Sequence, residues 1–94
     1  MRYIFNYQFK FLVTGCSGQV GKALIPILYN RFGLDNVLCT DIVPKPSHVT
    51  GEYLKLDVTD KKEFDKIAIN NGSNYIIHMA GILSGILKIY NFIN

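Results

Sequence analysis

The chain has 94 residues, 49% hydrophobic and 18% charged, with a formal net charge of +3. That is room for one domain at most, and too little for a complete two-substrate enzyme of the common α/β types. The hydrophobic fraction argues against disorder. Uninterrupted apolar stretches are far shorter than the ~20 residues that span a bilayer, and the Lys and Arg residues are scattered. Neither a membrane nor a nucleic acid is therefore an expected partner.

Cys16 and Cys39 form neither a C-x-x-C redox pair nor a zinc framework, so no metal site is expected. They suit a reducing intracellular setting, cytoplasmic or mitochondrial. Asn6, Gln8 and Lys10 interrupt any hydrophobic region at the start, and a secretory signal is not expected.

Residues 9–14 (Phe-Lys-Phe-Leu-Val-Thr) read as a short strand that runs into a glycine-rich turn. From Gly18 to about Phe32, Val20, Ala23, Leu24, Ile27 and Leu28 recur as one face of an α-helix. Pro26 lies inside it and predicts a kink, because its ring crowds the Lys22 carbonyl. Gly33 is a helix stop. Residues 36–42 read as a second strand, apolar enough for a parallel sheet covered on both faces. Residues 43–51, with Pro44, Pro46 and Gly51, read as loop.

Residues 53–58 form a third predicted strand. Asp60 and Glu63 have the D-x-x-E form of a capping box. They open a helix whose inner face is Phe64, Ile67 and Ala68 and which ends at Asn71-Gly72. Residues 75–78 are a fourth strand. Residues 86–94 are drawn almost entirely from Ile, Lys, Tyr, Asn, Phe and Leu and have no clear period. Alternating strands and helices predict an α/β, Rossmann-type parallel sheet of about four strands and two main helices. The chain reads as a single partial domain.

The strongest chemical signal is the run Gly15-Cys16-Ser17-Gly18-Gln19-Val20-Gly21 between a predicted strand and a predicted helix. Gly15 permits the tight turn, Gly18 lets a pyrophosphate approach the backbone, and Gly21 lets the helix pack closely on the strand. Free amides and the positive dipole end of the helix then hold phosphates. Asp41 ends the second strand, twenty positions after Gly21. A carboxylate there accepts both ribose hydroxyls of an adenosine and repels a 2′-phosphate, which favours NAD over NADP.

Asp57 and Val58 read either as a structural strand end or as the lining of an adenine pocket. Met79, Ala80 and Gly81 follow the fourth strand, where small residues permit close approach to a cofactor. His78 reads as structural. Cys16, near a helix N-terminus where thiol pKa values fall, reads chiefly as a small residue tolerated in the loop.

Together these residues resemble the N-terminal part of the extended short-chain dehydrogenase/reductases, the NAD-dependent epimerase/dehydratase superfamily. Within it they are most similar to short-chain-type L-threonine 3-dehydrogenases. The matching stretches are residues 13–21, 24–28, 31–42, 56–60 and 76–84. The resemblance implies that Gly15, Gly18, Gln19, Val20 and Gly21 form the pyrophosphate loop of an NAD site. Asp41 would take the ribose, Asp57 and Val58 the adenine, and Met79, Ala80 and Leu83 the nicotinamide side. Ser84 would touch an amino-acid substrate.

The implied reaction oxidises L-threonine with NAD to 2-amino-3-oxobutanoate, and a homodimer is possible for a full-length form. Alternatives are the cofactor half of a nucleotide-sugar epimerase or dehydratase, and a non-catalytic NAD-binding or interaction module with an exposed fourth-strand edge. The Tyr-x-x-x-Lys pair that such enzymes use for proton transfer is missing. Tyr3, Tyr7, Tyr29, Tyr53, Tyr75 and Tyr90 are followed four residues later by Tyr7, Phe11, Gly33, Asp57, Met79 and Asn94. No catalytic residue is therefore assigned. The chain reads as the cofactor part of a longer enzyme, without its substrate domain and inactive by itself.

Overall fold

The computed structural model describes residues 9–79 and the backbone of residues 88–91. Strand β1 (Phe11–Thr14) leads into helix α1 (Gln19–Phe32), a 3-10 turn (Leu34–Asn36) and β2 (Val37–Asp41). Next come β3 (Tyr53–Lys55), helix α2 (Lys61–Asn71), β4 (Tyr75–His78) and β5 (Lys88–Asn91). The sheet order is β3-β2-β1-β4-β5. The first four strands are parallel, and β5 runs antiparallel against β4. The sheet therefore grows one way from β1 to β2 and the other way from β1 to β4. That reversal leaves a crevice beyond the carboxyl ends of β1 and β4.

Alternation along the strands divides the core into two layers. Phe11, Val13, Val37, Cys39 and Ile77 face α1 and pack with Cys16, Ile25, Leu28, Val49 and Met79. Leu12, Leu38 and Ile76 face the other way and pack with Leu56 and Ile67. Strands buried on both faces explain the near-continuous apolar runs. Phe9, Phe11, Phe32 and Tyr75 cluster at the amino ends of the strands, with Phe11 and Phe32 ring centroids 4.7 Å apart.

Several expectations need correction. The buried stripe of α1 is Gly21, Ile25 and Leu28, with Leu24, Tyr29 and Phe32 partly buried against the core. Val20 and Ile27, expected inside, are 42% and 57% exposed. Two overlapping apolar stripes run along this helix, and the docking of Gly21 on the preceding loop selects one of them. Pro26 does not interrupt the helix.

Asn36 lies in the 3-10 turn rather than in a strand, with its side-chain amide donating to the Phe32 carbonyl at 2.6 Å. β3 stops at Lys55, because the chain turns at Asp57, whose carbonyl accepts from the Asp60 amide at 2.9 Å. Only half of the capping box forms. Asp60 accepts from the Glu63 amide at 3.1 Å, while the Asp60 amide goes to Asp57 rather than to Glu63. Gly72, left-handed, and Ser73 close α2 by donating to the Ile69 and Ala68 carbonyls, the Schellman arrangement. The edge of β4, expected to be exposed, is paired with β5.

Among the described residues, every buried side-chain nitrogen and oxygen has a partner. Buried Thr40 donates to the Val13 carbonyl at 2.9 Å, and buried Thr14 meets His78 Nδ1 at 2.7 Å. His78 thus joins β1 to β4. No helix among the described residues is long and apolar enough to cross a membrane.

Candidate functional site

Residues 15–21 cross the carboxyl end of β1 and deliver the chain into α1. Gly15 adopts φ +68°, a conformation that side-chain-bearing residues rarely adopt. A Cβ on Gly21 would lie 2.0 Å from the Cys16 carbonyl oxygen, so only glycine lets α1 approach this closely. A Cβ on Gly18 would meet nothing within 4 Å, so space beside that backbone is open on the outer side. Gln19 and Val20 are exposed. No side chain caps α1 at Gly18, and its first turn carries no acidic residue. The positive end of the helix is therefore not neutralised by a side chain of its own first turn.

Asp41, at the end of β2, reaches this loop. Its Oδ2 accepts from the Ser17 amide at 2.9 Å and from the Ser17 hydroxyl at 2.5 Å, and its Oδ1 accepts from the Ile42 amide at 2.7 Å. Partial burial pushes its carboxyl pKa up, but the three hydrogen bonds outweigh that and hold it below the ordinary aspartate value. Asp41 therefore carries a full negative charge beside the glycine loop. Of about four acceptor positions on a carboxylate, its own chain uses three.

The other expected site residues are placed less uniformly. Asp57 is exposed, and its Oδ1 accepts from both the amide and the hydroxyl of Thr59, at 2.9 and 2.6 Å. Those bonds lower its pKa and shape the turn into α2. Val58 packs partly against the α2-side core. The side chain of Met79 is buried in the α1-side core, and its amide donates to the Thr14 carbonyl at 3.0 Å. Ala80, Leu83 and Ser84 lie outside the described residues.

Cys16 belongs to the core on the α1 side of the sheet. It is wholly buried in one cluster with Cys39, and the neighbouring thiol together with burial drives its pKa up rather than down. Two cysteines 23 positions apart in sequence thus meet in the core, and both are free thiols. Tyr29 joins them, its hydroxyl 3.7 Å from Cys39 Sγ. Burial pushes the Tyr29 hydroxyl up to about 12.

Sequence reasoning missed two residues here. Ser17, given no role of its own in the glycine run, binds Asp41 twice. His48 lies in the loop after β2, and its Nε2 stands 2.8 Å from the Cys16 carbonyl oxygen. No local signal marks either contact. A groove of about 430 Å³, lined by Lys10, Leu38, Leu54, Ile67 and Asn71 among others, lies toward the amino ends of the strands. It is on the α2 side of the sheet, away from the glycine loop. Among the described residues no three metal-ligating side chains cluster.

The chain is similar in sequence and fold to known proteins. The pig (Sus scrofa) mitochondrial L-threonine 3-dehydrogenase is 37% identical over 81 residues, which cover 84% of this chain and 22% of the relative. A human (Homo sapiens) relative named inactive L-threonine 3-dehydrogenase, mitochondrial, is 36% identical over 77 residues, covering 80% of this chain and 34% of its own length. The crystal structure of L-threonine dehydrogenase from Clostridium difficile superposes with a TM-score of 0.75 at 38% identity, covering 84% of this chain and 26% of that one. The chain thus spans between a fifth and about a third of these relatives. The sequence profile of the NAD dependent epimerase/dehydratase family matches residues 11–89, and to that family the chain belongs.

Proposed function

We propose that this chain is the NAD-binding N-terminal portion of an L-threonine 3-dehydrogenase-like oxidoreductase. The observation that carries the reading is the uncapped N-terminus of α1 beside a charged Asp41 that is hydrogen-bonded to the same loop. The amides of Gln19, Val20 and Gly21 would face the pyrophosphate, with Gly18 leaving room for it. Asp41 would accept the adenosine ribose hydroxyls, one at its remaining Oδ1 position and one in place of the Ser17 hydroxyl. A 2′-phosphate would meet the Asp41 charge, so NADP would be excluded.

Asp57 and Val58 would flank the adenine, with Asp57 held by Thr59 and Val58 by the core. Met79 would contribute its backbone to the nicotinamide side, since its side chain is committed to the core. Ala80, Leu83 and the substrate contact Ser84 follow from the family resemblance. Bound there, NAD would supply a hydride acceptor for the hydroxyl-bearing carbon of L-threonine, giving 2-amino-3-oxobutanoate. These 94 residues contain no Tyr-x-x-x-Lys, so by themselves they would bind cofactor without turnover. A cytoplasmic or mitochondrial location suits this reading, and mitochondrial relatives support it.

Calorimetric titration of the 94-residue chain with NAD and NADP tests the reading. Binding of NAD, weaker binding of NADP, and a loss of about 1–3 kcal/mol for NAD in Asp41→Ala are expected. No heat with NAD overturns it. The family match equally supports the cofactor half of a nucleotide-sugar epimerase or dehydratase. Turnover of L-threonine against UDP-glucose, by a longer chain that carries the Tyr-x-x-x-Lys pair, separates the two.

A further inference from the structure

We propose that His48 is a positioning residue of the cofactor site, acting on Asp41 through the peptide unit that joins Cys16 to Ser17. The inference rests on the cofactor reading and adds to it a residue outside the glycine run. A carbonyl only accepts, so the 2.8 Å contact means that His48 Nε2–H donates to the Cys16 oxygen. That oxygen and the Ser17 amide belong to one planar peptide and point in opposite directions. The Ser17 amide is the group that donates to Asp41 Oδ2 at 2.9 Å. His48 therefore holds one end of this peptide while Asp41 holds the other.

Two further contacts make the clamp specific. The Cys16 amide donates to the Thr40 carbonyl at 3.2 Å, so the peptide before it is tied to β2. The missing Cβ of Gly21 lets α1 close on the Cys16 oxygen from another side. Rotation of the Cys16–Ser17 peptide is the motion left open, and the His48 bond opposes it. His48 itself is on a fastened segment. Neighbouring Val49 is buried in the core, and its amide donates to the Pro46 carbonyl at 3.1 Å. The Gly51 amide donates to the Tyr29 hydroxyl at 3.1 Å, and the Tyr53 hydroxyl donates to the Val43 carbonyl. The connection between β2 and β3 thus acts as a brace on the phosphate loop rather than as a bare linker.

NAD is titrated calorimetrically into the full 94-residue chain as wild type, His48→Ala, His48→Gln, Asp41→Ala and the His48→Ala/Asp41→Ala double variant. His48→Ala weakens NAD binding about threefold to tenfold, the scale of one hydrogen bond. His48→Gln, which keeps a donor, returns to within about twofold of wild type. On the Asp41→Ala background, which has no side-chain acceptor for the Ser17 amide, His48→Ala causes no further loss, because its route to the ligand has gone. Unchanged affinity in His48→Ala overturns the proposal, as does an equal loss on both backgrounds or a failure of Gln to restore binding.

Deuterium exchange of the Ser17 amide in the unliganded chain supplies a readout independent of NAD. It speeds up about tenfold in His48→Ala and recovers in His48→Gln. Unchanged exchange overturns the His48 proposal, whereas absent NAD binding by the wild type overturns the cofactor reading.

Discussion

The two helices of this chain begin in opposite ways, although both start beyond the carboxyl ends of parallel strands. At α2, Asp60 accepts from the Glu63 amide and Glu63 adds a negative charge in the first turn. At α1, Gly18 offers no side chain, the first turn holds no acid, and the nearest carboxylate, Asp41, faces the loop from another strand. The α2 terminus is satisfied from within its own first turn, whereas the α1 terminus has no such side chain. A terminus that stabilises only the fold is filled by local residues, whereas one that binds an anion must forgo its own cap.

The sharpest way to break this contrast is Gly21→Ala. The new Cβ would sit 2.0 Å from a backbone oxygen, so α1 must move. A destabilisation of about 3 kcal/mol is expected in urea denaturation, at the upper end for overpacking. A value near zero would mean that the helix does not pack here as described.

Gly18→Ala comes next and reverses the pattern. Its Cβ meets no protein atom, so stability changes by less than about 0.5 kcal/mol while the methyl blocks the pyrophosphate. NAD affinity falls at least about tenfold, near 1.4 kcal/mol, and unchanged affinity would move the phosphates elsewhere. Asp60→Ala probes the capped end. It costs about 1 kcal/mol of stability, the usual worth of an N-cap, and leaves NAD affinity alone. A loss of NAD binding there, measured on chain that remains folded, would erase the distinction between the two termini.

The smallest effect is the pH dependence of Asp41. Its folded pKa lies below the ordinary value, so its contribution is present above the unfolded pKa and is lost as pH falls through the folded one. The stability gap between wild type and Asp41→Asn is therefore constant from neutral pH to about pH 5 and closes below about pH 4. A gap that persists in acid would assign the stabilisation to shape rather than charge.

Much of the fold was legible because its signals are local. β4 has the predicted bounds, α2 starts at its predicted cap, and Gly33 and Gly72 end the helices where the turn chemistry placed them. Other features depend on partners distant in sequence. The apolar residues of α1 permit two inner faces. The choice between them is made by contact of Gly21 with the Cys16 carbonyl, which periodicity does not encode. Cys16 looked like a loop residue near a helix end, and only the packing of β1 beside β2 brings it onto Cys39. β5 had no readable period, since its pairing with β4 is a backbone matter largely indifferent to side-chain order.

By itself the sequence determined the order of strands and helices, the spacing of the glycine loop and the position of the carboxylate at the end of the second strand. All three follow from turn geometry and short-range periodicity. Only the tertiary structure decided which face of α1 is buried, that Ser17 and Asp41 share a bond, and that His48 reaches back to the Cys16 carbonyl. Those contacts join residues 24 and 32 positions apart. Nothing local specifies them; they exist because parallel strands carry their following loops to the same end of the sheet.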